Sequence, residues 1–413
     1  MPTKSLTAEV RGREERFHLP APMRIFFMDR IYLDYASTTP VDPRVLEAME
    51  PFFTTHFGNA SSVHAAGREA KNALETARTT IARAIGAQPA EVVFTSGGTE
   101  SDNAAIAGVL NAARANGQRR VVTASAEHHA VLSPCEEYER SGQPVSVLPV
   151  DRYGVIDREA LRASLAKHPL LVSVMYANNE VGAIAPLREI AEEVHAAGAL
   201  LHSDAVQCLG KIPLDVNTIG VDLMSLTAHK LYGPKGMGAL YIRNGTSWNP
   251  FLYGGGQERG RRPGTENVAL VVGFARAVEL AIAAMPQESA RVSAMRDDLE
   301  RRVKEMLPGV LVNSNAAERL PNILNISFDS AVMPMEGEML LTSMDLKGIA
   351  LSSGSACTSG SVQPSHVLLA MGRDPQTARA TLRFSFGNLN TPEEIPVVLS
   401  ALRESVALMT SGS

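Results

Sequence analysis

The chain has 413 residues, 45% of them hydrophobic and 20% charged, and 39 Lys and Arg against 44 Asp and Glu leave a formal charge of −5. That length allows two domains or one large α/β body, and a slightly acidic balance excludes the electrostatic footprint of a protein for nucleic acid or an anionic membrane. The three cysteines, Cys135, Cys208 and Cys357, stand far apart, which excludes a zinc site or a disulfide framework and fits a reducing cytoplasm.

Residues 1–30 open with MPTKSLTAEVRGREERFHLP. They are polar and charged, lack the apolar core of a secretory signal, and read as a disordered leader or an overcalled start ahead of Met28. Apolar stretches are interrupted by charge or glycine before they reach the roughly 18 residues of a membrane span. From about residue 90 to 285, strand-like runs alternate with helical patterns. EVVFTS leads into ESDNAAIAGVLNAARAN, where Ile106, Val109, Leu110 and Ala113 recur at helical spacing. RRVVTAS, PVSVLPV, LLVSVMYAN, ALLHSDAV and VDLMSL read as buried strands, and PLREIAEEVHAAG as a helix ending at a glycine cap. This alternation predicts a mainly parallel sheet covered by helices on both faces.

After residue 286 the character changes. Helical ESARVSAMRDDLERRVKEML is followed by strand-like LPNILNISF and ATLRFSFG, then by the helix TPEEIPVVLSALRESVALM. The expected organisation is a large domain over 46–286 and a smaller α+β domain formed by 31–45 and 287–413, the latter including the loop that carries Cys357.

Lys230, in MSLTAHKLYGPKGMGAL, follows an apolar strand and precedes a Gly/Pro-rich turn, so it sits at a strand end facing a cleft. A lysine there forms a Schiff base with an aldehyde cofactor if its surroundings lower the ammonium pKa; taken alone, it reads better as a surface lysine, and its neighbours change that. Asp204, ending LLHSDAV, suits a protonated pyridine nitrogen, and is otherwise a turn residue. In FTSGGTESDN a strand, a small-residue turn and a helix start offer Gly98 and Thr99 to a phosphate, joined by Thr227 and His229 beside the lysine. Without those companions the same turn is only a helix cap. His128 and His129 follow a strand in SAEHHAVL, as a proton-transferring pair or as a surface pair opening a helix. Arg383, in ATLRFSFG, is either a bidentate partner for a substrate carboxylate or half of a structural ion pair. Cys357 lies in LSSGSACTSGS, a run of small residues that packs no core.

Eight motifs in chain order, IYLDYASTTP, FTSGGTESDN, AEHHAVL, YANNEVG, HSDAVQ, AHKLYGPKG, GGGQERGRRPGTEN and SSGSACTSGS, resemble the cysteine desulfurases of the NifS/IscS type from about residue 31 to about 390. The resemblance implies a fold-type I pyridoxal 5'-phosphate enzyme with a mainly parallel seven-stranded sheet. It implies a cytoplasmic homodimer that converts L-cysteine to L-alanine and passes the sulfur to Cys357 as a persulfide. The acceptor beyond would be an iron–sulfur scaffold or a thiolation protein, and no intrinsic metal is implied, although Cys357 would share a cluster transiently with such a scaffold.

Carried over motif by motif, Lys230 is the Schiff-base lysine, His128 stacks on the ring, and Asp204 pairs with its nitrogen. Asn179 and Gln207 reach the ring oxygen, Gly98, Thr99, Thr227 and His229 hold the phosphate, and Thr265 reaches across the dimer to the partner's phosphate. Arg383 binds the substrate carboxylate. On this reading the Gly/Ser-rich loop lets Cys357 swing between substrate and acceptor, its thiolate being the nucleophile, while Cys135 and Cys208 are small packing residues. Thr227 stands where many relatives carry serine, which keeps the hydroxyl. The ending VALMTSGS has no counterpart of the longer tail that housekeeping members use to dock a cluster scaffold. Rival expectations are a selenocysteine lyase or related β-lyase, an aminotransferase with no need of Cys357, and a non-catalytic sulfur carrier, which intact Lys230, Asp204 and Gln207 disfavour.

Overall fold

The computed structural model describes residues 30–113, 120–314, 318–353, 357–358 and 361–410; the leader expected over residues 1–30 lies, but for Arg30, outside them. The first strand, β1 (Ile31–Tyr32), pairs in parallel with a distant segment, Ile349–Ala350. After helix α1 (Ala65–Ala84) comes β2 (Val92–Thr95), which turns at Gly97 into α2 (Gly98–Ala112). Then follow β3 (Val121–Ala124), α3 (His129–Arg140), β4 (Val145–Leu148), β5 (Leu171–Ser173), α4 (Leu187–Ala196), β6 (Leu200–Asp204), β7 (Leu223–Thr227) and β8 (Gly238–Ile242).

These seven strands form one sheet in the order β2-β8-β7-β6-β5-β3-β4. All neighbours are parallel except at β8, which runs antiparallel to both β2 and β7. Strands β3, β5, β6, β7 and β8 read as largely apolar runs because helices cover both faces; the buried polar residues among them are Thr123 on β3, Ser173 on β5, Ser225 and Thr227 on β7, and His202, Ser203 and Asp204 on β6. The expected parallel strands are all present. The antiparallel β8, within GMGALYI, is the strand that the alternation of strand and helix did not signal.

Helix α5 (Val268–Met306) is 39 residues long and runs straight through Pro286. The change of character expected after residue 286 is therefore no break in the chain path. Its N-terminal half (Val271, Phe274, Val278) packs on the large-sheet core, and its C-terminal half (Val292, Met295, Leu299, Val303) on a second core. Part of this helix is apolar enough to cross a membrane by composition, and 44% of that stretch is buried inside the protein. The second core is built on β9 (Val310–Val312), β10 (Ile323–Phe328) and β14 (Thr381–Ser385), an antiparallel sheet in the order β14-β10-β9, with α6 (Glu394–Thr410) across it. Between β10 and β14 lie β11 (Ile349–Ala350), the partner of β1, and the short antiparallel pair β12 (Cys357–Thr358) and β13 (Ser361–Val362).

Candidate active site

The C-terminal ends of β6 and β7 open into a cavity of about 390 Å³, the crevice where parallel sheets place their ligands. Its wall brings together Gly98, Thr99, His128, Asn179, Asp204, Gln207, Thr227, His229, Lys230 and Arg383. These are ten of the twelve residues singled out from the sequence. Ala36, Ser37, Asp102, Met175, Val206 and Ser352 complete it.

Lys230 Nζ donates to the carbonyls of Ala36 and Ser37 at 2.5 and 2.7 Å. Burial and the nearby cations Lys211 and Arg383 pull its pKa down to about 7, against the weaker pull of Asp34 and Asp204. A substantial fraction is thus the neutral, nucleophilic amine near neutral pH. Asp204 is 4% exposed. Its Oδ1 accepts the Val206 N–H at 2.9 Å, and burial lifts the carboxyl to about 6. Asp102, fully buried behind it, is pushed well above the usual carboxylate range by burial and by the charge of Asp204. Asp102 therefore holds the proton of the pair and Asp204 the charge.

His128 caps α3, its Nδ1 accepting the Ala130 N–H at 3.1 Å. That bond assigns the proton of the neutral ring to Nε2. Burial, then Lys230, His129 and His366, lower its pKa to about 4, so it is neutral at physiological pH.

A Cβ at Gly98 would lie 2.7 Å from Val206 Cγ2. Only glycine lets the start of α2 come this close to the strand end that bears Asp204. Thr99 follows in the first turn of the helix, where free N–H groups and the positive dipole end favour an anion. Thr227 and His229 face the same recess, and burial with the neighbouring lysines lowers His229 to about 4. A small flat aldehyde bearing a phosphate and a ring nitrogen fits this set: amine, carboxylate, neutral imidazole and an N–H-rich helix start, each at a separate part of one cavity.

Gln207 donates from Nε2 to the Ala36 carbonyl at 3.0 Å and accepts from Lys211 at Oε1. Arg383 is 3% exposed. It donates to Asp34 Oδ1 at 2.8 Å, to Ser37 Oγ at 2.7 Å and to the Asn179 carbonyl at 2.8 Å. Arg383 is thus half of an ion pair, the structural reading, and it stands on the cavity wall. Thr265 is exposed and lines a different recess, with Glu258 and Arg262. The backbone of Cys357 pairs with Val362; its side chain lies outside the described residues. Cys135 and Cys208 are free and buried. Among the described residues no cluster of His, Cys, Asp and Glu is placed to hold a metal.

Sequence reasoning gave no role to Asp34, Ser37, Asp102 or Lys211. Asp34 and Ser37 lie in the quoted IYLDYASTTP and Asp102 in FTSGGTESDN, which was the available signal; Lys211 acquires meaning only from what the fold sets beside it.

Residues 31–398 match the aminotransferase class-V family, and the chain belongs to it. Within that family its similarity is to cysteine desulfurases. It is 46% identical to cysteine desulfurase IscS of Dictyoglomus turgidum over 91% of this chain and 94% of the relative. Among solved structures, a NifS-like protein superposes with a TM-score of 0.85 at 37% identity, covering 92% of this chain and all of the other. SspA in complex with cysteine follows at 0.75 and 35%, over 86% of this chain and 98% of that one.

Proposed function

We propose that this chain is a pyridoxal-phosphate-dependent cysteine desulfurase, forming L-alanine from L-cysteine and loading the sulfur on Cys357. The observation that carries the reading is the convergence of Lys230, Asp204, His128 and Arg383 on one cavity, in a chain so similar over its length to cysteine desulfurases. When bound, the cofactor supplies an aldehyde for amine capture and an electron sink for charge developing at the substrate Cα.

The chain's own residues do the rest. Lys230 would hold the cofactor through its amine, and that amine, when free, is placed to take the substrate Cα proton. Asp204 would pair with the ring nitrogen and favour its protonated form, with Asp102 behind it held neutral by burial and by the Asp204 charge. Neutral His128 covers the ring. Gly98, Thr99, Thr227 and His229 take the phosphate, and Asn179 with Gln207 takes the ring oxygen. Arg383 exchanges Asp34 for the substrate carboxylate. The Cys357 thiolate then forms an S–S bond to the substrate sulfur as the Cβ–S bond breaks. The bonding pair stays with the three-carbon remainder, which leaves as alanine after protonation.

The persulfide passes to an acceptor protein, an iron–sulfur scaffold or a thiolation protein, in a reducing cytoplasm. The protein acts as a homodimer. Phe53, Phe57 and Val63, 57%, 76% and 88% exposed, supply apolar surface for a second copy, and exposed Thr265 reaches the partner's phosphate. Sedimentation at twice the chain mass is expected.

The deciding experiment adds L-cysteine and a thiol reductant to the purified protein after recording its absorbance. A visible band with equal sulfide and alanine is expected; a band without sulfide would replace the reading with a transaminase or a selenocysteine-directed enzyme. Cys357→Ala should keep the band and lose alanine formation.

A further inference from the structure

Lys211 is a half-buried cation that the reaction above does not use, four residues after Gln207 in the turn that leaves β6. Its Nζ donates to the Gln207 carbonyl at 3.2 Å and to Gln207 Oε1 at 3.1 Å. An ammonium only donates, so it fixes which end of an amide it meets. Oε1 must face Lys211, and Nε2 must face the other way, where it donates to the Ala36 carbonyl at 3.0 Å. The same carbonyl accepts from Lys230 Nζ at 2.5 Å. One line of contacts therefore runs from Lys211 through the Gln207 amide and the Ala36 oxygen to Lys230. Its far end is steadied from α5, where Ser289 Oγ donates to the Lys211 carbonyl at 2.8 Å.

We infer that Lys211 is a positioning residue for this reaction, holding the Gln207 amide so that Nε2 is presented to the cavity and Oε1 is kept from Lys230. The inference rests on the desulfurase reading. Were the amide reversed, Oε1 would oppose the Ala36 oxygen, a repulsive pair, or turn to Lys230 and favour its ammonium form. The Lys211 charge acts in the same direction, since after burial it is the largest influence lowering the Lys230 amine. Arg383 adds to that effect while Asp34 and Asp204 oppose it, and His128 and His229 face the same cavity. Lys211 itself lies near Cys208 and Arg383. Losing Lys211 removes both the cation and the lock on the amide, and both losses raise the Lys230 pKa.

The test compares wild type, Lys211→Met and Lys211→Arg. In each cofactor-free protein, the pH dependence of Lys230 reductive methylation is read by mass spectrometry at that site. In each pyridoxal-phosphate-loaded protein, the pH midpoint of the visible absorbance is recorded. Lys211→Met should move both midpoints upward, by roughly one pH unit, and Lys211→Arg, which keeps a charged donor, should stay near wild type. Unmoved midpoints in Lys211→Met, or equal movement in the two variants, would overturn the assignment. If Lys211→Met does not fold, Lys211→Leu, which likewise has neither charge nor donor, stands in under the same outcomes. A wild type that shows no visible band with pyridoxal phosphate would instead defeat the desulfurase reading, and the cofactor-free titration would still decide the role of Lys211.

Discussion

Lys230 reacts only as the neutral amine, and a pKa near 7 rather than the usual value near 10 sets where that form exists. Capture of pyridoxal phosphate by the cofactor-free protein should be nearly constant above pH 8 and fall about tenfold per unit below pH 7, because each unit removes that share of the amine. Stopped-flow absorbance measures this. A rate still climbing through pH 9 would mean an ordinary lysine. The three thiols separate on the same physics. Burial pushes Cys135 up to about 12 and Cys208 higher still, and their relative exposures are 2% and 0%. Iodoacetamide at pH 7.5 should therefore modify one cysteine quickly in the native protein, Cys357, as read by peptide mass; a second fast site would contradict this account.

At the scale of elements, the site exists because β6 and β7 end side by side. Asp204 and Lys230 were legible for that reason: each closes an apolar run, and parallel runs end at one edge. Gly98 and Thr99 were legible as a strand-to-helix turn. What the sequence hides is juxtaposition. Asp34 meets Arg383 across 349 positions, and neither periodicity nor spacing carries such a pairing. Asp102 likewise looked like a helix residue until the fold set it behind Asp204.

A second hidden pairing ties α1 to the turn at Gln257–Gly260, where Glu258 takes Arg78 in two bonds of 2.6 and 2.7 Å and also the Phe94 N–H of β2 at 2.9 Å. Both side chains are almost fully buried, 4% and 3% exposed, and Glu258 adopts a positive φ of 47° to get there. Arg78→Met should cost about 3–5 kcal/mol in urea unfolding, because a buried carboxylate is left without its cation. Replacing Glu258 by Gln in that background should recover much of the loss, which a role limited to side-chain packing would not allow.

At the scale of the whole molecule, catalysis draws on residues far apart in the chain. Ser37 comes from the first described strand region, Lys230 from the end of the large sheet and Arg383 from the second sheet, and these three face one cavity, while Asp34 pairs with Arg383. On the proposed reading, a substrate carboxylate at Arg383 would replace Asp34, and one ion pair would be exchanged for another. The resemblance already implied the seven-stranded sheet and the sequence showed most of its strands. The continuity of α5 was not legible, because Pro286 and the change in composition around it resemble a boundary, whereas the helix tolerates that proline and merely changes the core it packs against.

That shared helix has a consequence for how the protein comes apart. Val271, Phe274 and Val278 belong to one core and Val292, Leu299 and Val303 to the other, so neither can melt while leaving the other's packing intact. The two should behave as a single cooperative unit. Calorimetry of the cofactor-free protein should show one transition whose calorimetric and van't Hoff enthalpies agree, and two resolved transitions would mean that one core melts while the other keeps its half of the helix.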